Sequence, residues 1–117
     1  IFQINKKEKI DILCLAGFMK ILSSNFITKL KIPIINIHPS LLPKYKGLNT
    51  HQRAIDNNEK FSGCTVHYVT EKLDSVKIIS QKKVKILKKD NVISLKKKIL
   101  QLEHKLFPET LDKICKN

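Results

Sequence analysis

Asp11-Ile-Leu-Cys-Leu-Ala-Gly-Phe18 and Ile34-Ile-Asn-Ile37 decide the fold class. The first is apolar from Ile12 to Ala16 and stops at Gly17. A short apolar run without alternation suits a strand covered on both faces, as in a parallel sheet. Between the two runs, Ser23 or Ser24 is placed to cap a short helix over Asn25–Leu30, with Phe26, Ile27 and Leu30 on one side. Pro33 stops that helix, because its ring has no N–H to continue the ladder. Strand, helix and strand make a βαβ unit, expected to be right-handed with parallel strands. The chain therefore reads as α/β.

Downstream, His38-Pro-Ser-Leu-Leu-Pro-Lys-Tyr-Lys-Gly-Leu-Asn-Thr50 has prolines and a glycine that fix a loop and forbid a helix. Asn49 and Gln52 have the spacing of a capping box, opening a helix that runs to about Asn57. Gly63–Thr70 is β-branched and apolar, a strand. Lys77–Gln81 and Lys83–Leu87 form one extended stretch, expected as a half-exposed antiparallel edge. A final helix capped near Asp90 carries Val92, Leu95, Ile99, Leu102 and Leu106 as one apolar stripe. Pro108 is expected to kink or restart it, with Leu111 and Ile114 continuing the apolar face. No repeat, low-complexity tract or linker divides the chain. One domain results.

Composition narrows the function. Hydrophobic residues are 42% and charged residues 28% of the 117, a globular balance and not a disordered one. No apolar run is long enough to span a bilayer, and no secretory signal pattern is present. The three cysteines (Cys14, Cys64 and Cys115) show no metal-ligand spacing and are read as reduced thiols, so neither a metal site nor a disulfide framework is expected. The net charge is +13, from 23 Lys+Arg of which Arg53 is the only arginine. Base-edge readout wants Arg forks, and single strands want stacking aromatics. With one Arg, no Trp and 6% aromatics, the charge is read as a solvated surface. A nucleic-acid-binding domain is the least favoured alternative.

Candidate chemistry sits in the loop that leaves the second strand. In open α/β sheets, ligands lie outside the carboxyl ends of the parallel strands. Asn36 and His38 are two apart on an extended segment, so their side chains share a side. An amide donor beside an imidazole can polarise a carbonyl while a proton is exchanged with a nucleophile. Asp74, after the Gly63–Thr70 strand, is the candidate carboxylate to orient and charge the imidazole. Asn and His beside prolines also serve simply to hydrogen-bond local backbone, and that reading stands beside the catalytic one.

Three ordered motifs carry a resemblance: Ala16-Gly-Phe-Met-Lys-Ile-Leu22, the run Asn36–His51, and Gly63-Cys-Thr-Val-His-Tyr-Val-Thr-Glu-Lys-Leu-Asp74. With Leu102-Glu-His104 and Phe107-Pro108, the chain resembles the folate-dependent formyltransferases. Within them it is similar to the glycinamide ribonucleotide branch of purine biosynthesis. Gly47-Leu-Asn-Thr-His51 stands where the methionyl-tRNA branch typically reads Gly-Ala-Ala-Pro, and Pro39 stands where the deformylase branch usually has a second histidine. The methionyl-tRNA branch remains the alternative reading.

The resemblance implies a partial Rossmann-like formyltransferase fold, the later part of a mostly parallel sheet with flanking helices and an antiparallel edge strand. It implies formyl transfer from 10-formyltetrahydrofolate, a cosubstrate, to the amine of glycinamide ribonucleotide, in the cytoplasm and without a metal. Asn36 would donate to the developing oxyanion, His38 would manage protons, and Asp74 would hold His38 and raise its pKa. Met19, Lys20, Ile21 and Leu22 match the segment lining the folate pocket, with Asn36, Thr70, Leu73 and Asp74 completing it. Gly17 and Glu103 match positions that meet the ribonucleotide, although Glu103 also reads as an ordinary surface glutamate. His67 belongs to the motif and reads more readily as a satisfied strand histidine than as a catalyst. His51 and His104 match positions without a proton role.

The sequence departs from the family in places. No Gly-rich turn of the kind that binds a phosphate by backbone N–H groups is present. Residues 1–117 are therefore expected to carry the folate-binding and catalytic part of the domain without the phosphate-binding βαβ part. Weak turnover of the isolated chain is expected, with a complementary N-terminal chain as a possible partner. Val76 stands where the family usually has glycine, Lys20 replaces a commoner arginine, and Lys46 sits where proline is frequent.

Overall fold

The computed structural model describes residues 13–16, 34–69 and 77–115. Its four strands are β1 (Leu13–Ala16), β2 (Ile34–His38), β3 (Phe61–Tyr68) and β4 (Lys77–Lys85). They lie in one sheet in chain order. Helix α1 (Thr50–Asp56) sits between β2 and β3, and helix α2 (Val92–Cys115) ends the described chain. Strands β1 and β2 are parallel, with Leu13 opposite Ile34, as the apolar runs require. The expected helix over Asn25–Leu30 lies outside the described residues, as do Gly17 and Val76.

The sheet turns antiparallel one strand earlier than the expected edge. Both β2–β3 and β3–β4 are antiparallel, so of the described pairs only β1–β2 is parallel. The segment between β2 and β3 holds only a loop and the short α1, and it returns the chain in the opposite direction. Among the described strands β4 lies at an edge, and its Lys77, Lys83 and Lys85 are exposed. Lysines along a free edge discourage pairing with another chain.

Alternation divides the sheet into two unlike faces. Ile35 and Ile37 of β2 join Cys64 and Val66 of β3 under Leu95, Ile99 and Leu106 of α2, with Ala54 of α1. This is the core, and the α2 stripe read from the sequence builds it. The opposite face carries Asn36 and His38, with His67 and Thr65 as their cross-strand partners. Cys64 is fully buried, and burial first, with Glu103 nearby, pushes its thiol up to about 12.

The start of α1 differs from expectation, whereas that of α2 falls near Asp90 as read. The Asn49–Gln52 capping box does not form: Asn49 is left-handed at φ 57°, makes no side-chain cap, and Gln52 instead donates to Asp56. At α2 the cap is Asn91, one residue after Asp90. Asn91 Oδ1 accepts from the Ser94 N–H and Ser94 Oγ accepts from the Asn91 N–H, each at 2.9 Å. Asp90 braces this end by accepting from the Leu87 N–H and the Ser94 hydroxyl, both at 2.8 Å, while pairing with Lys98. Helix α2 also runs through Pro108 without a break. Two residues on, the buried Thr110 hydroxyl donates to the Leu106 carbonyl at 2.7 Å.

Asp90 gives a pH prediction. Lys98, then the Leu87 N–H, hold its carboxyl down to about 2, against an ordinary 3.8. A depressed folded-state pKa stabilises above the unfolded value and is lost as pH falls through the folded one. The urea midpoint gap between the unmodified chain and Asp90→Asn should be full above about pH 4 and close toward pH 2. A gap that does not change with pH would contradict this.

Candidate active site

Loop residues 39–49 fold back over β3 on the His38 face, and one hydroxyl fastens them. Thr65 is fully buried. Its Oγ1 donates to the Ser40 carbonyl at 2.7 Å and accepts from the Leu42 N–H at 3.1 Å. Gln81 of β4 donates to the same hydroxyl at 2.9 Å and to the Leu42 carbonyl at 2.8 Å. A hydroxyl has one donor and two acceptor sites, and all three are used. Gly63 admits the loop: a Cβ there would overlap the Lys82 carbonyl and meet Leu41 Cδ2 at 2.8 Å. The sequence shows a glycine in a strand and no sign of this reason.

The far end of the loop is held from α1. Arg53 Nη1 donates to the carbonyls of Lys46 at 2.6 Å and Leu48 at 3.1 Å, and its guanidinium lies 5.1 Å from the Tyr45 ring centroid. The lone arginine is thus committed within the fold. Tyr45, so placed, presents its carbonyl to His38 Nε2 at 2.9 Å. A carbonyl only accepts, so Nε2 carries the proton and neutral His38 keeps its lone pair on Nδ1. The backbone-anchoring reading of His38 therefore holds for one nitrogen, and the other carries the lone pair.

The described surroundings lower the His38 pKa, by burial first, then by the charges of His67 and Arg53, against the Tyr45 carbonyl, which raises it. The expected upward shift depended on Asp74, which lies outside the described residues. Asn36 is half-buried, and its Nδ2 faces His67 Nε2 at 3.5 Å. Its Oδ1 is buried and finds no partner among the described residues. An unmet buried acceptor costs about 1–3 kcal/mol, so its persistence is a mark of function or strain.

Asn36 and His38 are brought together, on one face and flanked by Thr65 and His67. Met19, Lys20, Ile21, Leu22, Gly17, Thr70, Leu73 and Asp74 lie outside the described residues. Glu103 is on the other side of the sheet. It lines a cavity of about 500 Å³ with Ile37, Leu100, Phe107 and Leu111. Burial pushes its carboxyl up to about 7. Sequence reading missed Thr65, Gln81, Arg53 and the Tyr45 carbonyl. Alternation in Gly63–Thr70 puts Thr65 and His67 on one face, but only the β2–β3 register sets them opposite His38 and Asn36.

A half-sheet ending in a paired amide and imidazole, under a proline-fixed loop, defines a class: residues 2–111 match the formyl transferase family, and the chain belongs to it. The relatives are more particular. The chain is 46% identical over 106 residues to the trifunctional purine biosynthetic protein adenosine-3 of Homo sapiens, covering 91% of the chain and 10% of that protein. It is 43% identical over 99 residues to the phosphoribosylglycinamide formyltransferase of Haemophilus influenzae, covering 85% of the chain and 47% of the relative. The crystal structure of the phosphoribosylglycinamide formyltransferase from Anaplasma phagocytophilum superposes with a TM-score of 0.86 at 46% identity, covering 92% of this chain and 52% of that one. The chain spans about half the length of these two phosphoribosylglycinamide formyltransferases and a tenth of the trifunctional protein.

The Thr65 hydroxyl can be tested directly. Thr65→Val keeps the shape but strands the Ser40 carbonyl and the Leu42 N–H, and should lower unfolding free energy by about 2–4 kcal/mol in urea titration. Thr65→Ser, which keeps the hydroxyl, should cost about 1 kcal/mol or less. Equal losses in both variants would remove the hydroxyl from its fastening role.

Proposed function

We propose that this chain carries the catalytic half of a phosphoribosylglycinamide formyltransferase. It would move a formyl group from 10-formyltetrahydrofolate to the amine of glycinamide ribonucleotide, a step of purine biosynthesis in the cytoplasm. The observation that carries the reading is the His38 ring, tied through Nε2 to the Tyr45 carbonyl so that Nδ1 holds the lone pair, beside an Asn36 amide whose Oδ1 has no partner among the described residues. Family membership supports the reaction class, and the relatives' printed names support the substrate. In this reading residues 1–117 hold the folate-binding and catalytic portion of the domain, and the phosphate-binding portion lies outside them.

Moving formyl between nitrogens needs charge and proton management in one place. As the amine attacks, negative charge grows on the formyl oxygen, and an Asn36 Nδ2–H is the donor suited to it. The amine must lose a proton and the departing folate nitrogen must gain one. His38 Nδ1 can accept the first and return the second, while Nε2–H stays on Tyr45 and keeps the ring from turning. Asp74 would face the imidazolium and stabilise it, opposing the burial that favours the neutral ring. Residues Met19–Leu22, with Thr70 and Leu73, would line the folate pocket, and Gly17 and Glu103 would meet the ribonucleotide. No metal is assigned a part in the reaction.

Formyl transfer should be measured on the 117-residue chain alone and joined to the part of the Haemophilus influenzae relative that precedes the matched region. The joined form should turn over and the chain alone should be slow. In the joined form His38→Ala should lower kcat about 10²–10⁴-fold, and Asn36→Ala about 10²–10³-fold. Full turnover after either change would remove that residue from the mechanism.

A further inference from the structure

His67 is a histidine that neither the core nor the proton chemistry uses. It stands on β3 opposite Asn36, on the face that carries His38. Its Nδ1 lies 3.1 Å from the Tyr68 carbonyl. A carbonyl offers no hydrogen, so Nδ1 is the protonated nitrogen and Nε2 holds the lone pair. The atom facing that lone pair is Asn36 Nδ2, at 3.5 Å, long for a hydrogen bond but closed to the alternative. Turning the amide over would set Oδ1 against the Nε2 lone pair, two acceptors face to face. The tautomer of one side chain thus dictates which end of its neighbour lies where.

We propose that His67 is a positioning residue that locks the Asn36 amide in one orientation, with the Tyr68 carbonyl as the origin of the lock. In that orientation one Nδ2 hydrogen is held by His67 and the second stays available to an oxyanion. Oδ1 is left buried and without a partner among the described residues. Asn36 would then turn a donor, and not its carbonyl, toward the reacting oxygen. This catalytic consequence rests on the formyl-transfer reading, whereas the lock itself does not.

Long-range ¹H–¹⁵N spectra of the labelled 117-residue chain read the His67 tautomer, and solvent exchange of the Asn36 side-chain amide reads the lock. The Nδ1–H tautomer is expected at about pH 7. His67→Leu should speed Asn36 Nδ2 exchange by about tenfold or more, and His67→Gln, whose carbonyl can accept in place of Nε2, should stay within about threefold of the unmodified chain. Backbone protection in β2 and β3 should be unchanged in both. An Nε2–H tautomer, or exchange that does not respond to His67→Leu, would overturn the proposal. Should His67→Leu unfold the sheet, the tautomer and the Gln variant decide, and fast exchange in the Gln variant counts against the lock. The expected tautomer together with no formyl transfer by the joined form would leave the lock standing and refute the functional reading.

Discussion

The hydrogen bond from His38 Nε2 to the Tyr45 carbonyl is the constraint on which the rest depends. It gives the imidazole a fixed plane and a fixed tautomer, and so names Nδ1 as the nitrogen that titrates. It exists only because loop residues 39–49 have one shape. Thr65 and Gln81 hold the start of that loop from beneath, and Arg53 holds its end from α1. Thr65 satisfies a backbone carbonyl and amide that would otherwise be buried unpaired, whereas Arg53 ties down carbonyls of exposed residues. Fold and reactivity are thus joined in one short segment. What stabilises the loop also sets the chemistry of His38, the strand residue just before it.

The two faces of the sheet explain why the site can be polar at all. Ile35, Ile37, Cys64 and Val66 give one face to α2 and form the apolar core. The other face is then free to carry Asn36, His38, Thr65 and His67 under a loop rich in hydrogen bonds. A covered second face is needed, because buried polar groups are tolerated only when partnered. The net charge of +13 plays no visible part here. Among the described residues, Lys77, Lys83 and Lys85 are exposed on β4 and Lys96, Lys97 and Lys105 on α2, and the one arginine is tied into the fold.

The apolar runs at Leu13–Ala16 and Ile34–Ile37 were legible as parallel strands, and the α2 stripe was legible from its spacing. Both signals are local and periodic, which is what burial imposes on sequence. The capping at Asn49 was not legible. Asn suits both a cap and the left-handed region, and only the loop's path decides between them. Helix passage through Pro108 was likewise decided by packing, since Leu106 and Thr110 on either side of it are buried. Within the site, Asn36 and His38 could be read because both lie on one short strand. The roles of Thr65, Arg53 and the Tyr45 carbonyl depend on contacts between distant segments, which spacing along the chain does not encode. Gly63 was visible as a residue, but its cause, the close approach of Lys82 and Leu41, was not.

The account stands or falls on the protonation of one ring. The ¹⁵N chemical shifts of His38, followed through its titration, report it directly. The account predicts a neutral form with hydrogen on Nε2 and a bare Nδ1 that takes up the proton as pH falls. A neutral form with hydrogen on Nδ1 would mean that the Tyr45 carbonyl does not hold the ring, and the proton path described for His38 would be wrong.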